Sequence, residues 1–473
     1  MISQLGVDEP EQKMRIHLKV IGKVHGKGRM MARKKSGKKK WMTECLGGLQ
    51  SQENQADNDQ EWALRSVMAR PKPAIIFIFI TLFLDIFGIG VIVPVLPKLV
   101  EQLQHDNIQA AAHSVGWLGA LYAFMQFVFS PVLGALSDRF GRRKVILFSL
   151  FGSGIDYLLL AWAPTIGWLY LARIVSGITA ANFSAASAYI ADVTPPDKRA
   201  AGFGMIGAAF GLGFIAGPAI GGLLGQYGLR LPFLVAAGIT LLNWLYGAFV
   251  LPESLAPENR RPFKWASAHP IKALTALSRW PLVMGLAGTH FMSTLSANIY
   301  PCLWVLYTGS RYGWDSKQVG FSLALVGVMA AIVQAGLAGR VLKIIGERRG
   351  VYVGLLAMAV AMFCYGAASQ GWMVYFIILI GSMAGIGSPA IQSMISQAVP
   401  ADEQGAVQGA LNSITSIAGI AAPLLWTALF SWAIAPELTI HIPGLPFYGA
   451  SVVSLAAATW AWRAFQKAQP VSD

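Results

Sequence analysis

Long apolar runs recur between residues 74 and 465, separated by short polar stretches. Each run is close to the ~20 residues a helix needs to cross a bilayer. The runs are continuous rather than alternating, which excludes a membrane β-barrel. Twelve helices are predicted, at 74–97, 115–136, 144–163, 167–190, 201–225, 231–251, 283–307, 317–338, 350–369, 372–395, 405–432 and 446–465. The fold class is therefore an all-α integral membrane protein.

The polar stretches are not equivalent. Those after the second, fourth, sixth and eighth runs read "DRFGRRK", "PPDKRA", "ENRRPFKW" and "KIIGERR", and the chain closes on "WRAFQK". Those after the third, ninth and eleventh read "APTIG", "SQG" and "APELTIHIPG", almost without Lys or Arg. Basic loops stay in the cytoplasm, so both termini are expected there. The loop after the tenth run, "VPADEQGA", carries no cation and does not contribute to the pattern.

Composition sharpens this picture. The chain has 473 residues, of which 55% are hydrophobic and only 13% charged. A soluble protein carries about 25% charged residues. The net charge of +14 lies largely in the first 40 residues, notably "RKKSGKKK", and in the short loops. That distribution reads as topology, not nucleic-acid binding. Cys45, Cys302 and Cys364 are too few and too scattered for a disulfide framework or a metal site. Residues 1–72 are expected to be a disordered basic extension, foreign to the rest of the chain, and Met68 opens a stretch that reads like a natural start. The expected organisation is a six-helix bundle over 73–252, a cytoplasmic linker over 253–282, a second bundle over 283–467 and a tail over 468–473.

The two bundles are related. Gly134, Gly141, Asp197, Gly204 and Pro218 each have the same residue 205 positions later, as Gly339, Gly346, Asp402, Gly409 and Pro423; Arg143 likewise has Arg348. A constant offset through loops and helices implies two parallel six-helix repeats. Transporters place substrate near mid-membrane between such repeats. The stretch "GALSDRFGRRK" at 134–144 is then a cytoplasmic turn. Its cations are explained by topology. Its Asp138, free to pair with a guanidinium, and its placed glycines, Gly134 and Gly141, are not.

This stretch resembles the signature G-x-L-x-D-R-x-G-R-[RK] of the major facilitator superfamily. The resemblance implies the major facilitator fold and a cytoplasmic latch formed by Gly134, Asp138, Arg139, Gly141, Arg142 and Arg143, with Asp192 as a partner for Arg142. The second-half copy, "GRVLKIIGERR", has Lys343 in place of the acid. In the fifth run, Gly204, Gly213, Gly217, Pro218, Gly221 and Gly222 match the antiporter motif G-x8-G-x3-G-P-x2-G-G, which implies export. The chain is most similar to bacterial tetracycline efflux proteins over nearly all of 74–465, through "LDIFGIGVIVPVLPKL", "RIVSGITAA", "AYIADVTPPDKRA" and "GWDSKQVGFSLA".

Charges in a bilayer cost about 2.5–3.5 kcal/mol each on insertion scales and mark function. Asp85, Asp156 and Arg173 lie in the first, third and fourth runs. The resemblance assigns them to proton coupling. Structural roles compete, most seriously for Asp85, which has Gly88 and Gly90 beside it. Gln126, Asn182, His290, Asn298, Gln334, Gln392 and Asn412 are polar candidates for a substrate cavity, although each alone also suits a bond between helices. The chain departs from the resemblance at two places: Met358 stands where those exporters have an Asp, and Ala330 where some have a His.

The expected function is proton-coupled efflux of a small-molecule drug, with tetracycline the first guess. The alternatives are export of another small molecule, or a non-transporting receptor or scaffold. No phosphate loop, metal cluster or catalytic triad is visible, so no enzymatic activity is expected. No cofactor or bound metal is expected beyond protons as coupling ion, with the substrate arriving as a divalent-metal chelate. The partners are substrate and the lipid bilayer, not nucleic acid. The protein is expected to act as a monomer in the bacterial inner membrane.

Overall fold

In the computed structural model, residues 73–105, 107–180, 182–194, 199–260, 277, 279–400, 403–439 and 441–467 are described. The predicted extension, the middle of the linker and the tail lie outside them. Every regular element among the described residues is helical. Among the described residues, nine helices are long and apolar enough to cross a membrane.

The first half comprises α1 (Pro73–Ile92), α2 (Leu96–Leu103), α3 (Ile108–Phe140), α4 (Arg142–Trp162), α5 (Ile166–Thr179), α6 (Asn182–Val193), α7 (Arg199–Gly225) and α8 (Leu231–Val250). The second comprises α9 (Pro281–Ala297), α10 (Ile299–Tyr312), α11 (Ser316–Ala331), α12 (Ala338–Ile345), α13 (Glu347–Ala367), α14 (Gly371–Gly381), α15 (Gly387–Ala398), α16 (Gln404–Ala433) and α17 (Leu445–Lys467). Grouped by position, these are consistent with the twelve predicted spans. The halves also repeat the same pairings. α1 packs on α7 as α9 packs on α16, and α4 packs on α8 as α13 packs on α17. Gly141 and Gly346, one repeat apart, both take positive φ, at 101° and 80°.

Two differences from the predicted spans have local causes. The second span begins at Ile108 rather than 115. The Asn107 side chain accepts a hydrogen bond from the Ala110 backbone N–H at 3.0 Å and starts the helix early. The seventh span breaks at Asn298, whose side-chain amide donates to the Thr294 carbonyl at 2.9 Å and draws the backbone out of register. A π-helical turn over Ile332–Leu337 and a 3-10 turn over Ser382–Ile386 interrupt two further spans. Such interruptions survive in a membrane only where protein or a cavity satisfies the backbone.

The halves meet along two seams, α7 against α11 and α3 against α16. Each seam is built on glycine and proline. A Cβ on Gly222 would sit 2.9 Å from the Gly320 Cα, so the α7 and α11 backbones touch. Gly119 of α3 faces Pro423 of α16, with 3.2 Å between its Cβ position and the ring. Pro218 and Pro423, equivalent in the repeat, thus lie on the two seams. Hydrogen bonds join the halves at one end of the bundle. Lys98 Nζ donates to the Trp314 carbonyl (3.0 Å), Gln226 Nε2 to Asp315 Oδ2 (3.2 Å) and Gln109 Nε2 to the Ser431 carbonyl (3.3 Å).

Candidate functional site

A cavity of about 390 Å³ opens between the halves. Tyr122, Gln126, Tyr157, Arg173 and Ser176 line it from the first half, and Asn298, Thr415 and Ser416 from the second. Its remaining walls are aliphatic or formed by Gly119, Gly419, Pro97, Pro301, Pro423 and the thiol of Cys302. Its size falls in the range of small-molecule sites, with few polar groups set in apolar walls.

Behind the first-half wall lies an ion pair. Asp156 of α4 is fully buried and accepts from Arg173 of α5, its Oδ2 3.1 Å and its Oδ1 3.3 Å from Nη2. The Ser176 hydroxyl bonds the same carboxylate. Arg173 reaches the cavity and lies 5.8 Å from the Tyr122 ring centroid. Its Nε is buried without a hydrogen-bond partner among the described residues. A buried donor left over in this way is suited to an ordered water. Asp85 of α1 is also buried, and Tyr122 and Tyr157 lie close enough to feel the fields of both carboxylates. The first half therefore contains one charged cluster at mid-membrane, screened from the cavity by Arg173 and two phenols.

The turn at 134–144 is organised by three carboxylates. Arg142 pairs with Asp138 at 2.5 Å and with Asp192 at 3.4 Å. It also donates to the Ser137 hydroxyl at 2.6 Å, which in turn donates to the Gly134 carbonyl at 2.8 Å. Glu253, immediately after α8, accepts from the Arg142 backbone N–H at 2.8 Å and caps the start of α4. A Cβ on Gly141 would collide with that carboxylate. Gly141 is thus required twice, by its φ of 101° and by Glu253. Arg143 reaches the Ala248 carbonyl at 2.6 Å, and Arg139 lies over the Phe140 ring at 5.0 Å.

A family model described as Major Facilitator Superfamily matches residues 78–423, with a further match over 286–470. The chain belongs to the major facilitator superfamily. It is 42% identical to the class C tetracycline resistance protein of Escherichia coli over 358 residues, 76% of this chain and 90% of that one. It is 42% identical to the class D tetracycline resistance protein of Salmonella ordonez over 380 residues, 80% of this chain and 95% of that one. Its fold matches the crystal structure of the human organic anion transporter MFSD10 with a TM-score of 0.63 at 24% identity, over 83% of this chain and all of that one. The protein is accordingly a multi-pass membrane transporter of the superfamily.

The structure gathers some of the sequence-predicted residues and separates others. Asp156 and Arg173 form one pair, with Asp85 nearby. Asp138, Arg142 and Asp192 form one cluster. Gly213 and Gly217 press on α1 at Ile86 and Gly90, Gly221 on Val91, and Gly222 on α11, so the antiporter motif serves both the inner packing and a seam. Gly204 lies in the first turns of α7. Gln126 and Asn298 line the cavity between the halves.

His290, Ala330 and Met358 line a second cavity of about 310 Å³ inside the second half. Gln334 lies in the π turn, beside Gly385. Gln392 accepts from Gln408 at 3.2 Å, outside both cavities. Asn412 is exposed on α16. The side chain of Asn182 lies outside the described residues. Sequence reasoning missed Glu253, Ser176 and Thr415. Glu253 alone carried a signal, as an acid directly following a span whose neighbouring turn is rich in cations.

Proposed function

We propose that this protein exports tetracycline-type drugs across the bacterial inner membrane in exchange for protons, with both termini cytoplasmic. The observation that carries the reading is the Asp156–Arg173 pair behind the wall of a drug-sized cavity between the two halves. A carboxylate that alternates between a proton and a guanidinium partner can exchange one for the other as the cavity changes its opening. The similarity to the tetracycline resistance proteins supports the same substrate class.

The positive-inside pattern places the hydrogen-bonded end of the seams, with Lys98, Gln226 and Gln109, on the periplasmic side. The drug cavity then opens toward the cytoplasm, and export requires these contacts to break while the latch end closes. One copy holds a cavity lined by its own two halves, which supports action as a monomer. Among the described residues, the lining contains no carboxylate. The walls alone therefore do not select a metal chelate over the metal-free drug, and a chelated divalent cation travels as part of the cargo. Tetracycline susceptibility of an efflux-deficient bacterial host tests the reading. Expression of the chain raises resistance, and a proton uncoupler removes the gain. Resistance unchanged by expression would count against it.

A further inference from the structure

The first half concentrates its charge in Asp85, Asp156 and Arg173. Among the described residues, the second half has no Asp, Glu, Lys or Arg deep within its helices; Arg311, Lys317, Arg340, Lys343, Glu347, Arg348, Arg349, Arg463 and Lys467 all lie within five residues of a helix end. His290 is the exception in kind. It lies in the first third of the seventh span, nine residues beyond the start of α9, and is half-buried. It lines the second cavity with Ser293, Thr294, Tyr300, Met358 and Tyr365. Its Nε2 is 3.1 Å from the Thr415 Oγ1 of α16. Thr415 lines the other cavity, the one between the halves. The His290–Thr415 bond is therefore part of the wall shared by the two chambers.

The direction of that bond is set by its neighbour. Thr415 Oγ1 donates its hydrogen to the Leu411 carbonyl at 3.0 Å. Its lone pairs are what remain for His290, so Nε2 carries a hydrogen and donates. In the neutral ring, Nδ1 is then the basic nitrogen. The elements packed on α9 offer it no carboxylate. α15 and α16 carry no ionisable residue, and α17 carries Tyr448 with Arg463 and Lys467 near its end. α10 carries Tyr300, Cys302, Tyr307 and Tyr312, with Arg311 in its last turn. Protonation of Nδ1 would thus change the net charge of an otherwise neutral chamber from zero to one.

We propose that His290 is the proton-accepting residue of the second half and takes part in coupling drug passage to proton entry. The proposal rests on the exporter reading above. The proton is taken up and released at Nδ1, while Nε2 keeps its bond to Thr415. Protonation makes the second chamber and its shared wall cationic. That disfavours a cation in the adjoining drug cavity and favours its departure. Asp156 and His290 then place one exchangeable proton in each half, on opposite sides of the drug.

The test uses the full chain purified in detergent and in proteoliposomes, with tetracycline as probe. Proton release on tetracycline binding and the rate of uphill transport are followed between about pH 5 and 8, the range in which an imidazole titrates. His290→Gln retains a donor for Thr415 but cannot titrate. It is expected to release up to about half a proton fewer per drug bound than wild type at the pH of half-protonation. It should flatten the pH profile of transport while drug counterflow without a proton gradient persists. Thr415→Val keeps the imidazole and removes its acceptor. It should shift the midpoint of the profile without abolishing it, and it carries the test if His290→Gln fails to accumulate. An unchanged profile and unchanged proton release in His290→Gln would overturn the role of His290 alone. A wild-type protein that moves tetracycline without protons, or not at all, would overturn this role together with the exporter reading.

Discussion

The two halves share their scaffold and differ in their charge. Pro218 with Gly222 on one side and Pro423 with its facing glycines on the other build matching seams, and Gly141 and Gly346 turn the chain alike. Yet the first half buries Asp85, Asp156 and Arg173, whereas Ala330, Met358 and His290 line the cavity of the second. The difference teaches that the repeat preserves the parts that move and leaves free the parts that do chemistry. Helix approach tolerates few residues, because only small ones, glycine above all, let two backbones come close. A polar group in a cavity is constrained only by what it must bind.

The comparison is broken most severely by Asp156→Asn. Loss of the carboxylate's charge leaves Arg173 buried without its counter-ion, a change that costs about 3–5 kcal/mol when one partner of a buried pair is removed. Uphill drug transport should be lost and the protein level should fall. The double variant Asp156→Asn with Arg173→Gln should restore the level measured by membrane immunoblot but not transport. Recovery of transport in the double variant would show that the pair serves packing alone.

Next in size is Gly222→Leu at the α7–α11 seam. Overpacking of this kind costs about 1–3 kcal/mol, and here the cost falls only on the state with that seam closed. Disulfide formation between Gln109→Cys and Ser431→Cys, on the other seam, should drop if the two seams close together. An unchanged yield would show that they move independently.

A smaller effect on folding, but a large one on transport, is expected for Asp138→Asn. Its carboxylate is 43% exposed, and exposed pairs contribute about 0.2–1 kcal/mol to stability. Thermal unfolding in detergent should barely change while the transport rate falls. The smallest expected effect is that of Lys98→Gln, which removes one hydrogen bond between the halves. A bond worth about 1 kcal/mol shifts the balance of open and closed states roughly fivefold. Accessibility labelling in the drug cavity should report that shift, with the seventh-span thiol Cys302 as its site.

Much of this was legible beforehand because some residue types admit few explanations. The spans follow from apolar length and the repeat from residues at a constant offset, while the latch and the antiporter motif were read only through the resemblance those residues carry. The start of α3 was not legible, since "HDNIQAAAHS" looks like a loop until the Asn107 cap is seen. The Asp156–Arg173 pair was visible only as two separate charges. Sixteen residues, a turn among them, lie between the two, and helix rotation decides whether they face each other. Thr415 gave no signal at all. A threonine in a membrane helix usually bonds its own backbone, and only the fold places this one against His290. Gln392 and Asn412 show the converse: polarity within a span does not say which way the helix turns.

Glu253 has a mechanical meaning. Its carboxylate grips the start of α4 through the Arg142 N–H and turns back to the backbone N–H of Ser254 and Leu255 at 3.1 and 3.2 Å. Ser254 then ties the chain to Asp192 at 3.0 Å. These are the first residues of the tether between the halves, so that tether is riveted at its root to the turn at 134–144. Tension on it as the second half swings would be delivered to Arg142 before reaching any transmembrane helix of the first half.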